Sequence, residues 1–358
     1  MASPLKKRLT SWRPSGPAFD PFLIAEAGVN HEGSLDVAYR LIDEAKRGGA
    51  DAIKFQTYRA STIASIHSPA YWDLSKESTT NQYELFKKYD RFWKPEFEKL
   101  KQRCDEQGIE FLSTPFDFDS ATFLNDLMDV YKISSSDITN KPFIQHISQF
   151  EKPIVLSTGA STMAEIDDAL DWINPGKEDK KKIDVALLHC VLNYPTSYDD
   201  ANLGMIAGLR SAYPDHMIGY SDHTLPEDMS ILRDATLLGA EILEKHFTHD
   251  KSLPGNDHYH AMDCDDLLMF MKVLDQAKRV LGKVQKEPLV SEEAARANAR
   301  RSIVLSCDLR RGETLTRSHL EFKRPGSGIS PSEIDDVIGR TVLDDLNKDD
   351  VLSWEKLK

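Results

Sequence analysis

The sequence predicts an α/β chain, a TIM-type (β/α)8 barrel followed by a small β-rich domain, and three observations predict it. Eight short apolar runs alternate with amphipathic stretches between Phe22 and Leu281, the order expected of repeated βα units. Beyond Leu281 the texture changes to short β runs separated by turns. The Gly-x-Gly-x-x-Gly fingerprint of an open dinucleotide-binding sheet never follows an apolar run, which disfavours the doubly wound alternative.

The runs are Phe22–Ala27, Ala52–Phe55, Phe111–Phe116, Val130–Ile133, Ile154–Leu156, Val185–Leu188, Met217–Tyr220 and Ile242–Leu243. Between them, Ser34–Arg47, Lys94–Glu106, Ser120–Leu127, Met163–Ile173, Asp200–Ala212 and Pro226–Leu238 place apolar residues at the three- and four-residue spacing of a helix face. An extra segment, Tyr58 to Tyr89, separates the second run from its helix and has the loop-rich character of a lid. The predicted division is a catalytic barrel over residues 1–282, a charged linker or connecting helix over 283–301, and a small domain over 302–358. The small domain begins with Ser302–Leu305, turns at Arg311-Gly312-Glu313 and continues through Leu320–Lys323, Val342–Leu343 and Val351–Leu352. At that length it is marginally stable alone, so docking on a barrel is expected.

Composition narrows the function. A net charge of −13 disfavours nucleic acid and anionic membrane surfaces, which require clustered positive charge. The four cysteines, Cys104, Cys190, Cys264 and Cys307, form no CxxC pair, so neither a disulfide scaffold nor a zinc ribbon is indicated. No apolar run reaches transmembrane length, and the basic start, Met1 to Arg13, has no apolar signal core. A soluble cytoplasmic enzyme is expected.

The chemistry concentrates at the carboxyl ends of the predicted strands. His223, in Gly219-Tyr220-Ser221-Asp222-His223-Thr224, and His246, in Glu244-Lys245-His246-Phe247-Thr248, are placed like the ligands of a metal site at the top of a barrel. Two histidines are too few for zinc, so an open octahedral site for a harder divalent ion fits better. Lys54 and Lys132 end apolar strands, where an ammonium turned toward the helices would be poorly solvated; facing the mouth, they would hold an anion. Ser135, Ser157 and Ser221 would donate to the same anion, and Ser157-Thr158-Gly159 leads toward a helix amino terminus. By strand parity Lys54 and Gln56 share a face, as do Ser221 and His223, whereas Lys132 and Ser135 do not, so one of that pair lies beyond its strand. Glu26 tops the first strand, either as a structural partner of Lys54 or Lys132 or as the group that handles a proton.

In order, Ala25-Glu26-Ala27-Gly28-Val29-Asn30-His31, Lys54-Phe55-Gln56-Thr57, Ser113-Thr114-Pro115-Phe116, Lys132-Ile133-Ser134-Ser135, Leu156-Ser157-Thr158-Gly159, the two histidine segments and Lys323-Arg324-Pro325 resemble the sialic acid synthase family, which includes N-acetylneuraminate, legionaminate and pseudaminate synthases. The resemblance covers residues 20–357 and includes a carboxyl-terminal antifreeze-like (SAF) domain. It implies condensation of phosphoenolpyruvate with the open-chain aldehyde of an N-acylated mannosamine-type sugar, giving a nine-carbon 2-keto-3-deoxy acid and phosphate. It also implies manganese, with magnesium able to substitute, on His223 and His246, and sugar contacts from Gln56, Tyr194 and Asp257. A domain-swapped homodimer follows from it as well, in which Arg324 reaches the partner's site; a guanidinium fork suits a sugar amide or carboxylate.

His258 and His260 stand beside Asp257, but with no other ligands near in sequence the segment Pro254–His258 reads as a substrate loop rather than a second metal site. The chain departs from the family at Cys190-Val191-Leu192-Asn193-Tyr194-Pro195, where Leu192 replaces a polar residue, and the segment after His223 is longer. Leucine in place of a polar side chain favours a less hydroxylated or more heavily acylated sugar, so a 2,4-diacetamido-6-deoxy hexose stands beside N-acetylmannosamine as substrate. A metal-dependent aldolase or lyase, and a non-catalytic carbohydrate-binding protein, are the other classes; neither needs two lysines and three serines on one anion.

Overall fold

The computed structural model describes residues 2–14, 19–176, 182–255, 257–283 and 285–358. Two positions within expected features, Val284 of the linker and Asn256 of the substrate loop, lie outside the described residues. The chain divides into two compact units, Met1–Leu281 and Gly282–Lys358.

The first unit contains eight parallel strands: β1 (Phe22–Gly28), β2 (Ala52–Thr57), β3 (Glu110–Pro115), β4 (Tyr131–Ile133), β5 (Ile154–Ser157), β6 (Val185–Cys190), β7 (Met217–Asp222) and β8 (Ile242–His246). Their order is β3-β2-β1-β8-β7-β6-β5-β4. The first strand thus pairs with the last, from Phe22↔Ile242 to Glu26↔His246, as a TIM-type barrel requires. β3 and β4 flank the remaining seam, where no ladder is formed among the described residues. All eight apolar runs are strands. Most extend further toward their carboxyl ends than hydrophobicity indicated, because the added residues are the polar ones that face the barrel mouth.

Alternate residues of each strand build two cores. One set, including Leu23, Ile53, Phe55, Leu187 and Leu243, packs outward on the helices. The other, Phe22, Ile24, Ala52, Leu112, Val130, Val155, Ala186, Leu188, Met217 and Ile242, fills the barrel interior. A short helix, Pro4–Ser11, adds Leu5 and Leu9 to that interior and closes its lower end. The Ser3 and Leu5 amides donate to Asp129 and Glu110 at 2.8 Å each, and Trp12 Nε1 donates to Glu241 at 3.0 Å. The basic amino end is therefore a structural plug, which the charge of that segment concealed.

The expected helix 120–127 begins earlier, at Phe118, because Asp117 caps it, accepting from the Ser120 amide at 2.7 Å. The expected lid contains two short helices, Ala60–Ile63 and Gln82–Tyr89.

In the second unit β9 (Ser302–Leu305) pairs antiparallel with β10 (Leu320–Lys323) over a core that includes Ile303, Leu305, Leu315, Val337, Val342 and Leu352. The runs at Val342 and Val351 form only isolated bridges. The stretch read as a linker contains a helix, Glu293–Ala299, that belongs to this unit; the Ala297 carbonyl accepts from the Gly326 amide at 2.8 Å. Among the described residues no helix is long and apolar enough to cross a membrane.

Gly219 faces the barrel interior, where a Cβ would collide with Leu188 Cδ2 and the Ile242 carbonyl oxygen. Because one obstacle is backbone, repacking cannot relieve it. Gly219→Ala is expected to lower stability by about 1–3 kcal/mol, measured as a lower urea midpoint with unchanged slope; an unchanged midpoint would show that the strand yields.

Candidate active site

Register places one functional residue after another on the interior side of the mouth. Glu26 pairs in register with Lys54 and with His246, Ser221 with Glu244, and Gln56 with Thr114. The inward parity that is apolar at the bottom of the barrel becomes polar in its top layers.

At the centre are four charges, all nearly sealed from solvent. Lys54 contacts Glu26 and lies 3.7 Å from Glu244 Oε1, with side-chain exposures of 3% for both Lys54 and Glu26. Lys132 lies 3.8 Å from the same Glu244 oxygen and donates to Ser157 Oγ at 2.7 Å. Ser221 Oγ donates to Glu244 Oε1 at 3.3 Å, Lys54 donates to Thr114 Oγ1 at 2.9 Å, and Gln56 Nε2 donates to Glu26 Oε1 at 3.1 Å.

The environments separate the two carboxyls. For Glu26, burial outweighs the pull of Lys54 and, with Glu244 adding to it, raises the pKa to about 7. For Glu244 burial acts the same way, but Lys132 and Lys54 together outweigh it and hold the pKa below its ordinary value. Burial lowers Lys132; on Lys54 it is overcome by Glu244 and Glu26, which raise that ammonium's pKa.

Ser135 lies beyond β4, in a single 3-10 turn, as the parity mismatch required, and its Oγ accepts from the Gly159 amide at 2.9 Å. The expected helix-terminus contribution is not found. The helix after β5 begins only at Met163, and its first turn is closed by its own Thr162 and Glu165. The physical reason is a capping box that satisfies those amides locally.

His223 follows β7 by one residue. Its Nδ1 lies 2.7 Å from the Val191 carbonyl oxygen, so Nδ1 carries a proton and donates it there. The His223 and His246 ring centroids are 5.4 Å apart, and Tyr194 lies 4.1 Å from His223 and 5.8 Å from His246. A sealed ion pair fixes the backbone of both histidine segments from the outward side: Lys245 reaches Asp222 at 2.7 Å and also donates to the Thr224 carbonyl, while Asp222 accepts from the Thr224 amide at 2.9 Å.

The segment Pro254–His258, read as a substrate loop, borders the larger pocket at the mouth through Gly255, Asp257 and His258. Donor atoms of His246, Asp257 and His260 all lie within 4.8 Å of one another, whereas His258 turns to Thr248 Oγ1 at 2.8 Å. The loop folds back along the end of β8, where the Met262 amide donates to the His246 carbonyl at 2.8 Å and the Thr248 amide to the Met262 carbonyl at 2.9 Å.

Two connected chambers result. The inner one, about 80 Å³, is lined by Glu26, Lys54, Lys132, Ser157, Ser221 and Glu244, among others. The outer one, about 360 Å³, has walls from the lid segment, including Tyr58, Tyr71, Trp72, Leu85 and Phe86, and no lysine or arginine lines it among the described residues. Gln56, Phe116, Ser134, Leu192, Tyr194 and His246 border both. Glu244, Thr114 and His260 were missed as site residues. Parity with His246 and with Gln56's neighbouring strand was available for the first two; nothing local marked the third. Arg324 belongs to the second unit, at the end of β10.

Comparison with known proteins agrees with this geometry. The family model described as NeuB family matches residues 41–286, and that of the SAF domain matches 300–358. The chain is 38% identical to the N,N'-diacetyllegionaminic acid synthase of Legionella pneumophila over 98% of its own length and 99% of that protein's. It is 34% identical to the synthase of the same name from Campylobacter jejuni, covering 92% and 98%. Among solved structures it matches the N-acetylneuraminic acid (sialic acid) synthetase of Leptospira borgpetersenii, in complex with citrate, at a TM-score of 0.67 and 35% identity, covering 78% of this chain and 91% of that one. A polar pocket and an aromatic one meeting at the mouth of an eight-stranded parallel barrel, with matches that together span most of the chain, lead to one conclusion: this enzyme belongs to the NeuB family and carries a carboxyl-terminal SAF domain.

Proposed function

We propose that the enzyme condenses phosphoenolpyruvate with the open-chain aldehyde of a hexose bearing acetamido groups at C2 and C4 and no hydroxyl at C6, yielding a nine-carbon 2-keto-3-deoxy acid and phosphate. The observation that carries this reading is the division into a small, charged inner chamber and a larger aromatic outer one. Lys54 and Lys132, with Ser135, Ser157 and Ser221, are a suitable cradle for the carboxylate and phosphate of a small trianion. The apolar lining, including Leu192, suits acetamido and methyl groups better than a hydroxylated or phosphorylated tail. The names of the two curated relatives support the same choice over N-acetylmannosamine.

A new bond joins C3 of phosphoenolpyruvate to the aldehyde carbon, and water adds at C2 as phosphate departs. Glu244, kept ionised by two lysines, stabilises the positive charge that develops at C2. Glu26, poised near neutrality, takes the proton from the attacking water. Gln56, Tyr194 and Asp257 contact the sugar where it enters from the outer chamber. The residues also suit a divalent cation, manganese in our reading: His246 Nδ1 is buried without a hydrogen-bond partner, and burial holds its imidazole neutral, the form a metal requires. Held by His223 and His246, such an ion would supply Lewis-acid polarisation of the aldehyde oxygen. We place the reaction in the cytoplasm, consistent with four cysteines that are all free thiols.

With phosphoenolpyruvate and manganese, phosphate release is expected to be faster with 2,4-diacetamido-2,4,6-trideoxymannose than with N-acetylmannosamine or its 6-phosphate. A preference for the 6-phosphate would refute the sugar assignment, and no release with any aldose would refute condensation.

The pH profile tests Glu26. As a base it is active when deprotonated, so kcat should rise with pH through a midpoint near the pKa of about 7. Glu26→Gln should reduce kcat by roughly 100-fold and remove that limb while phosphoenolpyruvate still binds. A variant with only weakened binding would make Glu26 a partner of Lys54 and nothing more.

We propose further that the active form is a domain-swapped homodimer in which Arg324 engages the partner's sugar. Mixing Arg324→Ala with His246→Ala chains should then restore activity, because one site of the mixed dimer combines an intact barrel with an intact arginine. No recovery despite demonstrated subunit exchange would exclude the swap.

A further inference from the structure

The lid segment encloses a carboxylate that lines neither chamber. Asp73 to Lys76 and Ser78 are exposed, yet the side chain of Glu77 between them is only 7% exposed. A glutamate is rarely buried without a partner, because its charge loses hydration. Here the partners come from two sides. Lys88 Nζ donates to Glu77 Oε1 at 2.7 Å and the Thr79 amide donates to the same oxygen at 2.9 Å. The Thr79 hydroxyl also donates to it and accepts from Lys88. Trp72 closes the knot, its Nε1 donating to the Glu77 and Thr79 carbonyls at 3.1 Å each.

Behind this knot the segment is a narrow hairpin. The Ala70 amide donates to the Thr80 carbonyl at 3.1 Å, and the Gln82 amide to the Ser68 carbonyl at 2.9 Å. The hairpin gives Tyr71 and Trp72 to the outer chamber, and the helix Gln82–Tyr89 gives Leu85, Phe86 and Tyr89. Because Lys88 belongs to that helix, the Glu77–Lys88 pair joins two walls of the chamber from behind. The tip of the hairpin also reaches the rim: Lys76 Nζ lies 5.5 Å from the centre of the Tyr259 ring, whose hydroxyl donates to the Tyr194 carbonyl at 3.1 Å.

We propose that Glu77 and Lys88 are positioning residues for sugar selection, their ion pair fixing the Tyr71–Trp72 wall against the helix and so setting the space open to an acyl substituent. The inference rests on the reading of a diacetamido sugar in the outer chamber and adds the device that shapes that chamber. Fully exposed ion pairs contribute little because water competes for both partners. This one has its carboxylate sealed, and the indole that faces the chamber is bonded to the backbone of the same residue, so loosening Glu77 loosens Trp72. An apolar wall discriminates by fit, and a displaced ring costs more fit to a sugar with a C4 acetamido group than to one without it. The inner chamber takes no residue from the lid segment, so phosphoenolpyruvate is not affected.

The test is steady-state kinetics of the full-length chain with phosphoenolpyruvate and manganese, comparing 2,4-diacetamido-2,4,6-trideoxymannose with N-acetylmannosamine. Lys88→Met leaves the buried carboxylate without its cation. Glu77→Gln is the milder variant, keeping an acceptor for Thr79 while removing the charge, and thermal unfolding shows that each chain is folded. Both should raise KM for the diacetamido sugar and reduce its kcat/KM advantage over N-acetylmannosamine by roughly 10-fold, with KM for phosphoenolpyruvate unchanged. Lys88→Arg, which preserves the pair, should retain the wild-type preference. A folded Lys88→Met or Glu77→Gln chain with the wild-type preference would overturn the proposal, and so would an equal rise in KM for the sugar and for phosphoenolpyruvate. If the wild type releases phosphate with no aldose, or prefers N-acetylmannosamine, the underlying reading fails and this inference with it. Wild-type preference for the diacetamido sugar, unaltered in the variants, defeats the positioning role alone.

Discussion

Everything at the barrel mouth depends on two lysines and two glutamates being enclosed together. A single buried ammonium or carboxylate would shed its charge, since burial costs several kcal/mol per ion even after relaxation. Here each of Lys54 and Lys132 has Glu244 within 4 Å, and Lys54 also has Glu26, so charge persists where water is scarce. The arrangement is balanced but asymmetric. Glu244 is shared between both cations, whereas Glu26 has one and also feels the repulsion of Glu244. That asymmetry shifts the pKa values of two chemically similar side chains in opposite directions, Glu26 up and Glu244 down.

The rim between the chambers is shared by both. Phe116, Leu192 and Tyr194 touch both spaces, as do Gln56 and His246, so the two reactants would meet at a border that is apolar on one side and charged on the other. The lid segment makes this possible: by inserting aromatic walls between β2 and its helix, it adds a compartment without altering the strands.

Much of this was legible in the chain because barrel strands obey a period of two. Each of Glu26, Lys54, Gln56, Lys132, Ser157, Ser221 and His246 occupies an inward position near a carboxyl end, and the Lys132/Ser135 mismatch correctly signalled a change of backbone after β4. The same rule reaches Glu244, two residues before His246, but a glutamate inside an apolar run is easily read as part of a motif rather than as the partner of two lysines. His260 could not be found this way. It arrives by a loop that returns to its own strand through main-chain bonds, which leave no mark in side-chain pattern. The amino-terminal helix was hidden for a different reason: Lys6, Lys7 and Arg8 dominate its composition, while only Leu5 and Leu9 are buried.

That helix bears on how the molecule is assembled during synthesis. Leu5 and Leu9 rest among interior side chains contributed by strands as late as β8, and Trp12 closes on Glu241. The seat is complete only after Ile242 has been made, so this early helix is among the last elements of the unit to find its place. Until then its two leucines are exposed, and the open end of the unfinished barrel is exposed with them. Closing the barrel and seating the plug thus protect the same apolar surface, which ties the two ends of the catalytic unit into one late, cooperative step.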